Sequence, residues 1–354
     1  MPPQNRSTVE LYGLTYIELV QLLAGWGYSH YFADKLWKSI YVQRVESLDQ
    51  ITDLRTDLLD ALKLNAFLET PATIAVQESA DRLTKKYLLG LNDGESVECV
   101  TMEYDGRTTA CISSQVGCAM GCIFCATGQM GFRRHLTSGE IVAQVIYLMR
   151  NHSQENDGIR NVVFMGMGEP FHNYQATMTA IDIMVDDRGL AIGPRYLTVS
   201  TVGLPSAIRQ FATEDHPMNL AVSLHAATDA ERKKLVPISD RWSLRDVMDA
   251  CREYYDKRSR RIFFEWALIT GENDTEEQAH ALGNLLQGID SHVNLIPVNP
   301  TGGFKAAASD EQRTLAFKRI LSLYKIPSTF RQKRGVDIYA GCGQLRTPKD
   351  IRPT

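Results

Sequence analysis

Between residues 110 and 335 the chain alternates repeatedly between two hydrophobic periods. NVVFMGM, RYLTVST, MNLAVSL, RIFFEWALI and VNLIPVN are short β-rich runs. EIVAQVIYLMRN, LRDVMDACREYY, EEQAHALGNLL and EQRTLAFKRILSLY carry apolar residues at helical spacing. Strands that alternate with helices must run parallel, because the crossover helix returns the chain to the same end of the sheet. The number of units suits a full or partial (β/α) barrel, an α/β fold. No G-x-G-x-x-G follows a first strand, so a dinucleotide fold is not indicated. Capping boxes mark helix starts at Thr137 with Glu140, Thr275 with Gln278, and Ser309 with Gln312.

The chain before this region reads differently. Residues 1–75 suggest a small helical accessory domain with its own core, built from LTYIELVQLLAGWG, SHYFADKLWKSIYVQ and TDLLDALKL. Residues 76–110 read as a β-rich linker, with KKYLLGL, SVECVTMEY and RTTACISSQ separated by Asn-Asp-Gly and Asp-Gly turns. Residues 111–354 then form the barrel and a C-terminal catalytic tail. No run of about 18 apolar residues offers a membrane span, and MPPQNRSTVE lacks the apolar stretch of a secretory signal. The expectation is a cytoplasmic protein whose seven cysteines are ligands or catalysts rather than a disulfide framework. A net charge of −4 argues against an indiscriminate nucleic-acid coat but allows a local basic face.

In a β/α barrel the chemistry sits where strands end. CAMGCIFC follows the strand at CISSQ, GMGEP follows NVVF, and Ser200, Ser223, His225 and Asn299 end later strands. The unusual polar residues therefore fall on one rim. Cys118, Cys122 and Cys125 are spaced C-x3-C-x2-C, with Gly121 easing the turn. Three thiolates can hold a four-iron cluster and leave one iron open to an amine and a carboxylate. A zinc site with a distant fourth ligand, or cysteines clustered in a core, are the alternatives. Cys342 lies between two glycines in GCGQL, which exposes a thiol, and Cys111 precedes the first loop cysteine by seven residues. Taken alone, either could be a buried structural cysteine.

CISSQVGCAMGCIFCATGQMGF resembles the radical S-adenosylmethionine (SAM) superfamily. Together with MGMGEP, STVG, SLHA, VNLIPVNP and DIYAGCGQL it is similar to the RlmN/Cfr family of RNA adenine methyltransferases over nearly the whole chain. The resemblance implies a radical SAM partial barrel with a small N-terminal helical domain. It implies a [4Fe-4S] cluster on Cys118, Cys122 and Cys125, and SAM contacts from Gly168, Glu169, Ser200, Ser223, Leu224, His225 and Asn299. Two SAM molecules would be used per turnover. The first methylates Cys342, and the second yields a radical that activates that methyl group for addition to adenine. Glu98 would be the general base. Cys111 would release the product by forming a transient disulfide with Cys342. Cys99 and Cys251 match no motif and read as structural.

The implied partners are 23S rRNA, with an adenine at the peptidyl-transferase centre as target, a tRNA adenine 3′ of the anticodon as a second substrate, and an external flavodoxin-like electron donor. A monomer is expected. Pro170 resembles the C2-methylating branch, whereas the C8-methylating resistance branch typically has Ala there. A C8-methylating enzyme, or a radical SAM enzyme of different output, is the alternative. Candidate phosphate contacts are Arg133, Arg134, Arg232 to Lys234, Lys257, Arg258, Arg260, Arg261 and the tail. Residues 327–354 carry six basic and two acidic side chains, a net +4 beside Cys342.

Overall fold

The computed structural model describes residues 8–152, 158–305 and 307–347. A ten-stranded sheet dominates it. Seven strands run parallel in the order Arg107–Cys111, Ile159–Phe164, Leu197–Thr201, Asn219–Ser223, Ile262–Leu268, Ser291–Pro297 and Ser328–Phe330. The two terminal strands of the sheet do not pair with each other, so the barrel is partial. Ala72–Glu78, Thr84–Gly90 and Ser96–Tyr104 extend the sheet antiparallel beyond Arg107–Cys111. The segment read as a linker is therefore a continuous part of the sheet. The strand at CISSQ stops at Cys111, and Gln115–Gly117 instead forms a separate ribbon with Phe132–His135.

The helices start where their caps require. Both capping boxes expected at Thr137 and Thr275 are formed. The third expectation is corrected. Helix Glu311–Leu323 is capped by Asp310, which accepts from the Arg313 amide, while Ser309 donates its hydroxyl to Asp274 at 2.7 Å. A carboxylate one residue closer to the helix satisfies the free amides and leaves the serine for another partner.

Helix Ser138–Asn151 is buried over ten of its residues. A barrel helix normally buries one stripe. This one is covered on its outer side as well, by the N-terminal stretch around Leu11–Gly13 and by the chain at Arg44 and Val45. Arg150 donates to the Tyr12 hydroxyl at 2.9 Å and Ser138 to the Gly13 carbonyl at 3.1 Å. Leu11, Tyr12, Trp37 and Tyr41 belong to the same apolar cluster as Ile141, Val145 and Leu148. Each such side chain contributes about 1.5–3 kcal/mol by leaving water. Among the described residues no helix is long and apolar enough to cross a membrane.

Candidate functional site

The C-terminal ends of the parallel strands surround one cavity. Cys118, Cys122, Cys125, Gly168, Glu169, Ser200, Ser223, His225, Asn299 and Cys342 all line it. Ten sequence positions spread from 118 to 342 thus converge through topology alone, as the strand-end reasoning expected.

Close packing explains the glycines of GMGEP. A Cβ on Gly166 would lie 2.6 Å from the Ile112 carbonyl, and one on Gly168 would lie 2.6 Å from the Gln115 Cβ. Gly168 also has φ of +104°, a region other residues adopt with strain. The turn therefore presses against residues 112–115 and aims Glu169 into the cavity. The Glu169 carboxylate accepts from the amides of Phe171 at 3.0 Å and Val202 at 2.8 Å. Burial nevertheless raises its pKa to about 7, with those amides working in the opposite direction. A cationic ligand would restore its charge.

His225 has φ of +62° and is buried. Its Nδ1 accepts from the Ala267 amide at 3.0 Å, so the neutral ring carries its proton on Nε2. Burial, assisted by Arg232, lowers its pKa to about 3. His225 is therefore a neutral donor, stacked edge-on against Phe124 of the cysteine loop at 4.8 Å. Leu224 departs from expectation. Strand alternation turns it away from the cavity that Ser223 and His225 line, and it is fully buried in the core. Its amide donates to the Glu265 carbonyl and its carbonyl accepts from Arg232. Both of its backbone groups are therefore engaged.

The cysteine loop is fastened at several points. The amides of Cys118 and Ile123 donate to the carbonyls of Gly131 and Leu235. The amide of Ala126 donates to the Gly343 carbonyl at 2.7 Å, tying the loop to the C-terminal segment. Gly121 has φ of +69°. Burial pushes the thiol of Cys118 up to about 12 and raises that of Cys122 well above its ordinary value, so both need a cationic partner to be thiolates. Among the described residues no three His, Cys, Asp or Glu side chains converge as the ligands of one metal ion. Two buried oxygens of the cavity lining, Asn299 Oδ1 and Glu265 Oε2, lack any partner. The residues present therefore fit a cluster and a polar, zwitterionic ligand beside it.

Cys342 stands where this cavity meets a second one, which Cys111 also lines together with Met102, Tyr104, Met165 and Arg331. All described cysteines are free. Burial raises the Cys111 thiol to about 12, and proximity to Cys342 adds to this. Cys342 is exposed. The walls around it raise its thiol pKa, and the Arg331 guanidinium works against that rise. Arg331 also pairs with Glu265 at 3.3 Å. Sequence reasoning missed Glu265 and counted Arg331 only as one cation of the basic tail. The signal was available as a charged residue in the middle of the apolar run RIFFEWALI.

Glu98 lines neither cavity. It is buried, pairs with Lys86 at 3.0 Å and accepts from the Arg346 amide at 2.8 Å. Burial raises its pKa, and Lys86 opposes this most strongly. The C-terminal segment thus covers the carboxylate. Cys99 and Cys251 are fully buried, in keeping with structural roles.

Several expected phosphate contacts are corrected. Arg232 is buried and donates to the carbonyls of Leu224, Val202 and Ser223 and to Ser239; it braces strand ends. Arg258 donates to the carbonyls of Glu214 and His216, Arg260 to Asn219, and Arg261 pairs with Asp290. These three precede strand Ile262–Leu268 and so lie at the opposite end of the barrel from the cavity. Arg133 pairs with Glu95, and Arg134 with Asp93 and Glu140.

A model of the radical SAM superfamily matches residues 112–282. The dual-specificity RNA methyltransferase RlmN 1 of Myxococcus xanthus is 52% identical over 98% of this chain and 96% of its own length. The ribosomal RNA large subunit methyltransferase N of Nitrosopumilus maritimus is 42% identical over 96% of this chain and 98% of its own. The crystal structure of a radical SAM methyltransferase from Sphaerobacter thermophilus superposes with a TM-score of 0.92 at 43% identity, covering 96% of this chain and 99% of that one.

Proposed function

We propose that this chain, which belongs to the RlmN family of radical SAM RNA methyltransferases, methylates C2 of an adenine in 23S rRNA and also acts on the adenine 3′ of the anticodon in tRNA. The observation that carries the reading is the meeting of the three-cysteine loop and Cys342 at one cavity, with Cys111 on its neighbour. Cys118, Cys122 and Cys125 would hold a [4Fe-4S] cluster. Glu169 would receive the ammonium of SAM, and Ser200, Ser223, His225 Nε2–H and Asn299 Oδ1 would orient the remainder. When bound, these groups would supply a carbon radical strong enough to take a hydrogen atom from a methyl group, which ordinary side chains cannot do.

The chain's own residues do the rest. Cys342 carries the methyl group that becomes bonded to the adenine carbon. Arg331 favours the thiolate that must first accept that methyl group. Glu98 takes the ring proton, for which its raised pKa suits it. Reaching it requires the segment around Arg346 to shift, because that backbone amide occupies the carboxylate. The Cys111 thiolate then attacks the Cys342 sulfur. A sulfur–sulfur bond forms, the carbon–sulfur bond to the nucleotide breaks, and its electron pair leaves on the methylene carbon, which takes up a proton equivalent to the one the Cys111 thiol gave up and so becomes the methyl group of the base. An external reductant returns both cysteines to thiols.

Mass spectrometry of rRNA and tRNA from a deletion strain and its complemented counterpart tests this. The expected product is 2-methyladenosine, lost on deletion and regained on complementation. Methylation at C8 would replace the C2 assignment, and no change in adenine methylation would refute the reading.

A further inference from the structure

The turn that aims Glu169 into the cavity leans on one residue, Gln115, at three consecutive positions. The Gln115 amide donates to the Met167 carbonyl at 3.2 Å. Its Cβ occupies the space that a side chain on Gly168 would need. Its Oε1 accepts from the Glu169 amide at 2.8 Å. Gln115 is fully buried, so its carboxamide must find partners within the protein. Its Nε2 meets the Nδ1 atoms of two histidines, His135 at 3.0 Å and His172 at 3.1 Å. The rings of His135, His172 and Phe132 form one cluster, with centroids 4.9 Å, 5.0 Å and 5.5 Å apart.

The atoms of this network are not interchangeable. The Glu169 amide is a donor, so the Gln115 atom that faces it must be the oxygen, and the atom that faces the rings must be the nitrogen. That nitrogen carries two hydrogens, one for each ring. It can donate to an imidazole nitrogen only where that nitrogen carries no proton. Both rings are therefore neutral, with their proton on Nε2. Both histidines are exposed, so protons reach them from solvent. A proton on either Nδ1 would set donor against donor. Turning the carboxamide over would relieve that conflict, but it would aim Nε2 at the Glu169 amide and leave a buried donor without an acceptor. The charge of the imidazoles and the seating of the turn are thus tied through one amide. The surrounding charges are otherwise engaged. Arg134 donates to the His135 carbonyl and pairs with Asp93 and Glu140, and Arg133 pairs with Glu95. The Glu169 carboxylate is held by the Phe171 and Val202 amides. Burial, and then His172, lowers the pKa of His135 and so favours its neutral form.

We infer that His135 and His172 are positioning residues for SAM: as neutral acceptors they fix the carboxamide of Gln115, which seats the Glu169 turn, and protonation of either one releases it. This rests on the reading of Glu169 as the seat of the SAM ammonium. It adds to that reading two residues that do not line the cavity and act on the ligand only through Gln115. It also gives SAM affinity a loss on the acid side that is separate from the titration of Glu169 itself.

Equilibrium binding of SAM to the anaerobically reconstituted protein, between pH 5 and pH 8, tests this in three forms. His135→Leu/His172→Leu removes both acceptors and should weaken binding on the order of tenfold at pH 7.5. His135→Asn/His172→Asn offers Gln115 an amide oxygen in place of each Nδ1, and that oxygen does not titrate in this range. The Asn pair should recover most of the loss at pH 7.5, and its affinity should fall less than that of the wild type toward pH 5. The titration of Glu169 is common to all three forms and cancels in the comparison. Ring nitrogen shifts of the ¹⁵N-histidine protein without SAM read the tautomer independently, and both rings should carry their proton on Nε2 at pH 7.5. Melting curves verify folding; if the Leu pair does not fold, the Asn pair and the nitrogen shifts decide. An Asn pair that follows the wild-type pH profile, or a proton on Nδ1 of either wild-type ring at pH 7.5, would overturn the inference and leave SAM binding standing. Absence of SAM binding by the wild type at every pH would instead overturn the reading of Glu169, and the inference with it.

Discussion

Lys86→Met should destabilise the protein in a strongly pH-dependent way. Lys86 is the cation that faces Glu98, at 3.0 Å, and both side chains are almost fully buried. At an effective dielectric constant of about 20, charges at that distance attract by about 5 kcal/mol, and removing one partner of a buried pair costs about 3–5 kcal/mol. The sign follows from protonation. Burial already holds the Glu98 pKa above its ordinary 4.5 in the folded chain, and Lys86 is the main opposing influence. Without Lys86 the folded-state pKa rises further, while the unfolded value stays the same. A group whose pKa is raised on folding contributes stability below its unfolded pKa and loses it as pH rises through the folded value. The variant should therefore melt close to wild type as pH approaches 4.5 and fall progressively behind it toward pH 8. At about 2 °C per kcal/mol, the deficit at pH 8 is roughly 6–10 °C. Melting curves of both proteins at pH 5, 6.5 and 8 measure it. A deficit that is constant with pH would refute the pairing, since lost packing alone does not titrate.

Three further outcomes follow from the site. Gly168→Ala should lose about 2–4 kcal/mol, from a positive φ and an overpacked contact with Gln115, and a melting curve reads this directly. Arg232→Met should strip four oxygen acceptors of their donor and destabilise by about 3–5 kcal/mol, while leaving the salt dependence of RNA binding unchanged. Cys118→Ala, Cys122→Ala and Cys125→Ala should each abolish iron binding after anaerobic reconstitution, measured by metal analysis; stoichiometric zinc in the wild type would contradict the cluster.

The barrel and its rim were legible because they depend on local rules. Strand–helix alternation, glycines before Glu169 and the spacing of three cysteines are all short-range patterns, and the fold carries them to one cavity. What escaped depends on facing direction and long-range pairing. Leu224 reads as part of SLHA, yet strand alternation turns it into the core. Arg232 reads as one of three consecutive basic residues, but only the fold reveals the strand-end carbonyls that it braces. Arg258, Arg260 and Arg261 form a basic run in sequence, and their place at the far end of the barrel follows only from strand direction. Glu98 was identified by its motif alone. Its cover, the amide of Arg346, lies 248 residues away. Helix Ser138–Asn151 was expected from its period, but its burial on both sides required knowing where the chain around Leu11–Gly13 and Arg44 docks.

The central claim is that Cys342 carries the methyl carbon and Cys111 releases it. Both thiols line one small cavity. Purification of Cys111→Ala, Cys342→Ala and the double variant with cellular RNA, followed by denaturing gels with and without nuclease, tests this most directly. Cys111→Ala should show a nuclease-sensitive upshift, because protein stays joined to RNA through Cys342 when no neighbouring thiolate can attack that sulfur. Cys342→Ala and the double variant should show none. An adduct that persists without Cys342, or its absence from Cys111→Ala with the iron content intact, would contradict the account.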